Sequence, residues 1–139
     1  MYLLDTNVVS EMRRRTQMAP AVAAWASQVR PMDLYLSVTS VMELETGALL
    51  VARRDPVQGR LLTDWIERHV LPAFEGRIIP VDLAIARRCA ALHVPDPRPI
   101  KDVLIAATAL CQRMSVVTRN VRDFVGMGVT LVNPWEWQR

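Results

Sequence analysis

Short runs of apolar residues, separated by helical segments, constrain the fold of this chain more than any other feature. The sequence predicts five such strands, which are Tyr2–Leu4, Leu34–Ser37, Ile78–Val81, Ser115–Thr118 and Val129–Val132. Continuous apolar strands connected by helices are typical of a parallel sheet that is covered on both faces. The pattern therefore predicts an α/β fold arranged as a three-layer sandwich.

Apolar spacing and capping residues predict helices between these strands. The predicted helices are Val8–Met12, Pro20–Val29, Ser40–Arg54, Pro56 to about Val70, a helix capped by Asp82 that ends at His93, and Lys101–Arg113. We expect Pro72 to stop the fourth helix, and the proline-rich segment 94–99 to form a loop. Asn120–Phe124 is predicted as a single helical turn.

The length of 139 residues fits one domain, which we place at residues 1–139. The chain is 51% hydrophobic and 22% charged, which excludes a disordered or fibrous protein. Its two cysteines, Cys89 and Cys111, fit neither a disulfide framework nor a zinc motif. No apolar run approaches the roughly 18 residues of a membrane span, and because the first apolar run ends at Asp5 we expect it not to be a signal peptide. We therefore expect a soluble, cytoplasmic protein with no membrane partner.

The net charge is +3, and Lys101 is the only lysine among the basic residues. Arginine binds phosphate through two parallel hydrogen bonds, so this composition allows a nucleic-acid partner. The codon bias of a GC-rich genome explains the same arginine content equally well. Composition alone therefore identifies no ligand.

Four polar residues follow or lie near the predicted strand ends, where ligands bind in open parallel sheets. They are Asp5, Glu43, Asp102 and Asn120. Three have structural alternatives: Ser40 and Glu43 have capping-box spacing, Asp102 complements a helix dipole, and Asn120 with Asp123 resembles a cap. A carboxylate that ends an apolar strand, as Asp5 does, needs donors or a cation to stay charged.

Four motifs together resemble the PIN domain, and most closely the VapC-type toxin ribonucleases of bacterial toxin–antitoxin pairs. They are LLDTNVVSE (3–11), SVMELETG (40–47), KDVLIAATAL (101–110) and VVTRNVRDF (116–124). The ending VTLVNPWEW (129–137) is similar to the same group. Each motif alone is weak, but all four occur in the right order.

The resemblance implies a five-stranded parallel sheet of order 3-2-1-4-5 with helices on both faces. It also implies a magnesium-dependent endoribonuclease, with manganese as an alternative ion, that hydrolyses RNA phosphodiester bonds with a metal-activated water. The implied role is the toxin of a VapBC-type pair. The implied partners are an RNA substrate, a cognate antitoxin whose C-terminal segment occupies the site, and a second copy of the chain in a homodimer.

The site residues carry over by position. Asp5, Glu43 and Asp102 match the three acidic metal ligands, and Asn120 stands at the fourth catalytic position, where many members have aspartate. Supporting residues are matched by Thr6, Asn7 and Thr118. Oxygen ligands without histidine or cysteine suit Mg²⁺ or Mn²⁺ rather than zinc. Asn120 lowers the site charge by one, and Val103 stands where a small residue is typical.

Other residues and other functions remain open at this point. Arg13, Arg14 and Arg15 are either RNA-backbone contacts or a solvated helix end. Alternative functions are a non-catalytic RNA-binding PIN module and a haloacid-dehalogenase-like phosphatase, although the latter requires a second aspartate where this chain has Asn7. We expect His69 and His93 to be structural.

Overall fold

The computed structural model describes residues 1–138. Its five strands are β1 (Tyr2–Leu4), β2 (Leu34–Ser37), β3 (Ile78–Ile79), β4 (Ser115–Val117) and β5 (Leu131–Val132). Every neighbouring pair is parallel, and the strand order is β3-β2-β1-β4-β5. The predicted parallel α/β sheet and its order are confirmed.

Seven α-helices surround this sheet within residues 1–138. They are α1 (Thr6–Met12), α2 (Pro20–Gln28), α3 (Val38–Arg54), α4 (Pro56–Trp65), α5 (Leu71–Ala73), α6 (Leu83–Leu92) and α7 (Ile100–Gln112). A π-helical turn, Ile66–Val70, joins α4 to α5. Single 3-10 turns lie at Arg15–Gln17, Pro31–Asp33, Val121–Phe124 and Pro134–Glu136.

The two faces of the sheet are covered by different helices. Leu3 and Leu4 are adjacent and fully buried, yet Leu3 packs with α6 and α7 whereas Leu4 packs with α1 to α4. Val116 and Val117 divide in the same way. Side chains that alternate between two buried faces explain why these strands are continuously apolar.

Strand register brings the polar residues that follow β1 and β4 together. Leu4 pairs with Val117, and the Asp5 amide donates to the Val117 carbonyl at 2.9 Å. The next residues along each strand are therefore neighbours, so Asp5 lies beside Thr118 at the carboxyl edge of the sheet.

Two helices begin earlier than predicted because the residue before each one caps it. The Asp5 carboxylate accepts from the Thr6 amide, so α1 begins at Thr6 rather than Val8. The Ser37 hydroxyl accepts from the Thr39 amide at 3.0 Å, so α3 begins at Val38 rather than Ser40. The alternative in which Ser40 and Glu43 form a capping box is therefore wrong.

Prolines shift two other boundaries. The helix predicted to stop near Val70 continues through Pro72 to Ala73, because the π-helical turn before it bonds the Leu71 amide to the Ile66 carbonyl. The wider turn accommodates a proline ring that a regular helix excludes. Pro80 has no N–H to donate, so β3 ends at Ile79 rather than Val81. Regular pairing of β5 begins at Leu131 rather than Val129.

No helix within residues 1–138 is long and apolar enough to cross a membrane.

Candidate functional site

Asp5 is the most constrained carboxylate at the carboxyl edge of the sheet. Only 6% of the residue is exposed. Its Oδ1 accepts from the Thr6 amide at 2.8 Å, and its Oδ2 accepts from the Thr118 hydroxyl at 2.8 Å. Asn7 Nδ2 also lies 3.3 Å from that Oδ2. Burial raises the pKa of Asp5, and the hydrogen bonds from Thr118 and Thr6 oppose this effect.

Glu43 reaches the same edge from the second turn of α3, where it forms an ion pair with Lys101 at the start of α7. This pairing raises the pKa of Lys101, because the Glu43 carboxylate stabilises the ammonium form. The charges of Asp102 and Asp5 act in the same direction. Lys101 therefore supplies positive charge among the carboxylates of this protein.

Asp102 lies in the first turn of α7, so the dipole alternative remains compatible with its position. Burial raises its pKa, and the negative charges of Asp123 and Asp5 raise it further. If Asp102 only complemented the helix dipole, it would have no reason to lie near two other acids. The raised pKa values of Asp5 and Asp102 have the same cause, since both are removed from water among like charges.

Asn120 follows β4 at the rim of this cluster. Its amide donates to the Thr118 hydroxyl at 3.0 Å, but its side chain makes no capping hydrogen bond to the turn at Val121–Phe124. The alternative in which Asn120 is a side-chain cap is therefore wrong. The side chain is exposed and borders the cavity that the acidic residues line.

One cavity of about 300 Å³ contains all four predicted catalytic residues. Its lining is Asp5, Thr6, Asn7, Ser10, Glu43, Lys101, Asp102, Asn120 and Asp123. Within residues 1–138, no three histidine, cysteine or acidic side chains are close enough together to hold one metal ion. The oxygen donors fit an ion that binds one or two carboxylates and retains part of its water shell, as Mg²⁺ does.

Two charged residues of this cavity are absent from the predicted set. Lys101 is the only lysine and directly precedes Asp102. Its partner Glu43 is 58 positions away in the sequence and lies on another helix. The sequence presents Asp123 both as the partner of a cap, three residues after Asn120, and as an acid near the site. In the structure it lines the cavity and raises the pKa of Asp102.

The three consecutive arginines have different contacts, although Arg13 and Arg15 border two cavities in common. Arg13 borders a second cavity of about 330 Å³ that also contains Thr6 and Glu43, and its guanidinium carbon lies 5.6 Å from the ring centroid of Trp65. Arg14 Nη1 instead donates to Oε1 of the buried Glu11 at 3.1 Å. Arg15 borders an apolar cavity of about 280 Å³ with His69. Only Arg13 shares a cavity with a predicted catalytic residue.

His93 accepts a hydrogen bond from the Arg98 amide at its Nδ1, at 3.2 Å, and so fixes the loop before α7. Cys89, one turn earlier on α6, is buried, and burial raises the pKa of its thiol. His93, Cys89 and His69 all lie outside the acidic cavity.

Comparison with protein families gives a match to the model described as PIN domain over residues 2–127. The chain is 38% identical to the VapC ribonuclease Y4jK of Sinorhizobium fredii, over 98% of this chain and 99% of the relative. It is 35% identical to the toxin FitB of Neisseria gonorrhoeae, over 97% and 99% of the two chains.

Solved structures give the same relationship. The crystal structure of FitAcB from Neisseria gonorrhoeae superposes with a TM-score of 0.87 at 35% identity, and the match covers 98% of this chain and 99% of the other. A toxin–antitoxin complex from Klebsiella pneumoniae matches with a TM-score of 0.68 at 27% identity, over 96% and 98%. The family match over residues 2–127 includes every residue that lines the acidic cavity.

Proposed function

The chain belongs to the PIN-domain family and resembles its VapC-type toxins, and on this premise we propose that it is the ribonuclease toxin of a toxin–antitoxin pair. The observation that carries the proposal is the acidic cavity at the carboxyl edge of the sheet. Asp5, Glu43, Asp102 and Asn120 come from four separate segments, yet they line one space. Structural capping alone does not require them to meet.

We propose that Mg²⁺, or Mn²⁺, is the cofactor. Asp5 and Asp102 are the ligands best supported, because burial and the charges of neighbouring acids disfavour their charged forms without a cation. Glu43 is the third ligand of the proposal. In the structure it pairs with Lys101, and no three acidic side chains of residues 1–138 are close enough to share one ion, so Glu43 has to leave Lys101 to reach the metal. A bound divalent ion lowers the pKa of a water ligand and stabilises the charge that develops on a phosphodiester.

The residues around the proposed metal ligands have different roles in this proposal. Thr118 and the Thr6 amide each donate to a different oxygen of Asp5, so they fix the orientation of that carboxylate. Asn7 bridges Asp5 and the Arg119 amide, which keeps β1 and the segment after β4 in register. Lys101 offsets part of the repulsion between the carboxylates and an RNA phosphate.

The test of this function is cleavage of a labelled single-stranded RNA by the purified chain. We expect cleavage in Mg²⁺ or Mn²⁺, complete loss in EDTA, and recovery when the ion is restored. RNA that is bound but never cut would contradict the proposal and favour a non-catalytic RNA-binding module. Hydrolysis of p-nitrophenyl phosphate without RNA cleavage would favour a phosphatase.

Asn120 is uncharged, so the variant Asn120→Asp adds one negative charge to the cavity. This variant tests whether Asn120 lies beside the metal. We expect the variant to bind Mn²⁺ roughly tenfold more tightly, because one more negative charge faces the ion; tenfold equals about 1.4 kcal/mol. Isothermal titration calorimetry measures the difference directly. Gln112→Glu adds the same charge at the exposed far end of α7 and is expected to leave the affinity unchanged. Equal affinities for wild type and Asn120→Asp would remove Asn120 from the site.

The proposed protein partner is a cognate antitoxin. The relative FitB is named a toxin, and the matched Klebsiella pneumoniae structure is a toxin–antitoxin complex. Two further cavities support a bound polypeptide, since both are lined mainly by apolar side chains and one of them contains Glu43. A homodimer of the chain stays a prediction, and light scattering on the purified protein measures it.

A further inference from the structure

We propose that Arg119, supported by Trp135, forms a binding subsite for one unpaired RNA base beside the acidic cavity. This inference rests on the proposed function, because an RNA substrate is what the subsite would hold. None of the family's matched site positions includes either residue.

The subsite adjoins the acidic cavity directly. A cavity of about 440 Å³ is lined by Arg119, Arg122, Asn133 and Glu136, and it shares Asn120 and Asp123 with the acidic cavity. This volume lies within the range of small-ligand sites, roughly 300–1,000 Å³. A nucleotide in this space would therefore be a neighbour of the phosphate that the carboxylates face.

Arg119 is placed to stack on a base. Its guanidinium carbon lies over the ring of Trp135, 5.1 Å from the centroid, while the arginine itself is exposed and lines the cavity. Trp135 is half-buried and packs against the core. The indole therefore lies against one side of the Arg119 guanidinium, and the arginine stays exposed beside it. Proteins commonly bind single-stranded RNA by stacking bases on aromatic rings or on guanidinium planes.

The backbone of Arg119 is tied to the acidic cluster. Its amide donates to Asn7 Oδ1 at 3.2 Å, and Asn7 Nδ2 contacts Asp5. These hydrogen bonds position the backbone from which the Arg119 side chain projects relative to the first carboxylate. Such positioning relative to the reacting phosphate is what a hydrolytic site requires.

The charges of the subsite favour a base over a simple anion. Arg119 and Arg122 are balanced by Asp123 and Glu136, so the formal charge of the lining is zero. Within residues 1–138, neither arginine takes part in an ion pair. A site for phosphate alone would be net positive, whereas a base edge offers both donors and acceptors to such a mixed lining.

The experiment compares two ligands of equal charge in EDTA, where the RNA stays intact. One is a fluorescent single-stranded RNA, and the other is an abasic ribose-phosphate chain of the same length. We expect wild type to bind the RNA roughly tenfold more tightly, because stacking requires bases. Arg119→Ala should lose most of this preference, whereas Arg122→Ala should weaken both ligands alike. Trp135→Leu, which removes the ring beneath Arg119, should resemble Arg119→Ala.

The exposed Arg87→Ala on α6 is the control for losing one positive charge, and it should keep the wild-type preference. Arg119→Ala that weakens both ligands equally, or that keeps the preference, would overturn the subsite. Cleavage of RNA in Mg²⁺, measured on the same proteins, separates the two proposals. If wild type cleaves RNA but the preference fails to respond to Arg119, only the subsite is wrong. If wild type neither binds nor cleaves RNA, the proposed function is wrong as well.

Discussion

The variant Asp5→Asn is expected to lose at least about a hundredfold in RNA cleavage while it keeps the fold. Loss of residues that merely orient metal ligands costs about 10–100-fold, and Asp5 is proposed as a ligand itself. An amide of the same shape binds a hard cation poorly. Cleavage and thermal melting, measured on the same sample, provide the test.

The stability of Asp5→Asn should depend on pH in a defined direction. Burial raises the pKa of Asp5 in the folded protein above its unfolded value, so ionisation of this carboxylate opposes folding without metal. The favourable contribution of protonated Asp5 is complete below its unfolded pKa and is lost as the pH rises through its folded pKa. In EDTA, Asp5→Asn should therefore gain stability relative to wild type as the pH increases.

Asp82→Asn is the matched control for this variant. Asp82 and Asp5 both cap helices, since Asp82 Oδ1 accepts from the Ile85 amide at 2.9 Å, but Asp82 lies outside the acidic cavity. Asparagine caps a helix as well as aspartate does, so Asp82→Asn should keep both activity and melting temperature. Retained cleavage in Asp5→Asn, or a loss of several degrees in its melting temperature at pH 7, would contradict the assigned role.

The variant Gly59→Ala is expected to destabilise the protein by about 2–3 kcal/mol, because α3 and α4 touch at this glycine. An added Cβ would lie 2.5 Å from Ala52 Cα and 2.8 Å from Ala52 N. These are backbone atoms of the facing helix, so the clash cannot be relieved by a rotamer change. Urea unfolding at neutral pH measures the difference.

Gly47→Ala is the corresponding control on α3. A Cβ at Gly47 meets no atom within 4 Å, so the substitution should stabilise the helix by about 0.5–1 kcal/mol. The two variants make the same chemical change with opposite expected signs. If Gly59→Ala were as stable as wild type, the close packing of α3 on α4 would not exist in solution.

The position of Asp5 at the carboxyl edge of the sheet shows how much of the fold and of the site the sequence predicts. Continuous apolar strands connected by helices are typical of a parallel sheet covered on both faces, so the class follows from the hydrophobic pattern alone. The strand order came from the family resemblance, and both are confirmed. The metal ligands and their roles stay predictions, although the four residues do line one cavity.

Helix starts show where local pattern is insufficient. Capping-box spacing favours Ser40 as the cap of α3, whereas in the structure the cap is Ser37, whose backbone is extended and whose hydroxyl accepts from the Thr39 amide. A π-helical turn before Pro72 likewise allows the helix to continue. The hydrogen bonds of that turn depend on how the helix packs, so the local sequence does not predict them.

The sequence by itself determined the α/β class, the covered parallel sheet and the set of polar residues at its carboxyl edge, because those depend on the order of apolar and polar residues. Only the tertiary structure decided that Lys101 pairs with Glu43, that Asp123 joins the acidic cavity, and that Arg119 lies over Trp135. Each of these contacts depends on where strand register and helix packing place the side chains. Neither strand register nor helix packing is encoded in a local stretch of residues.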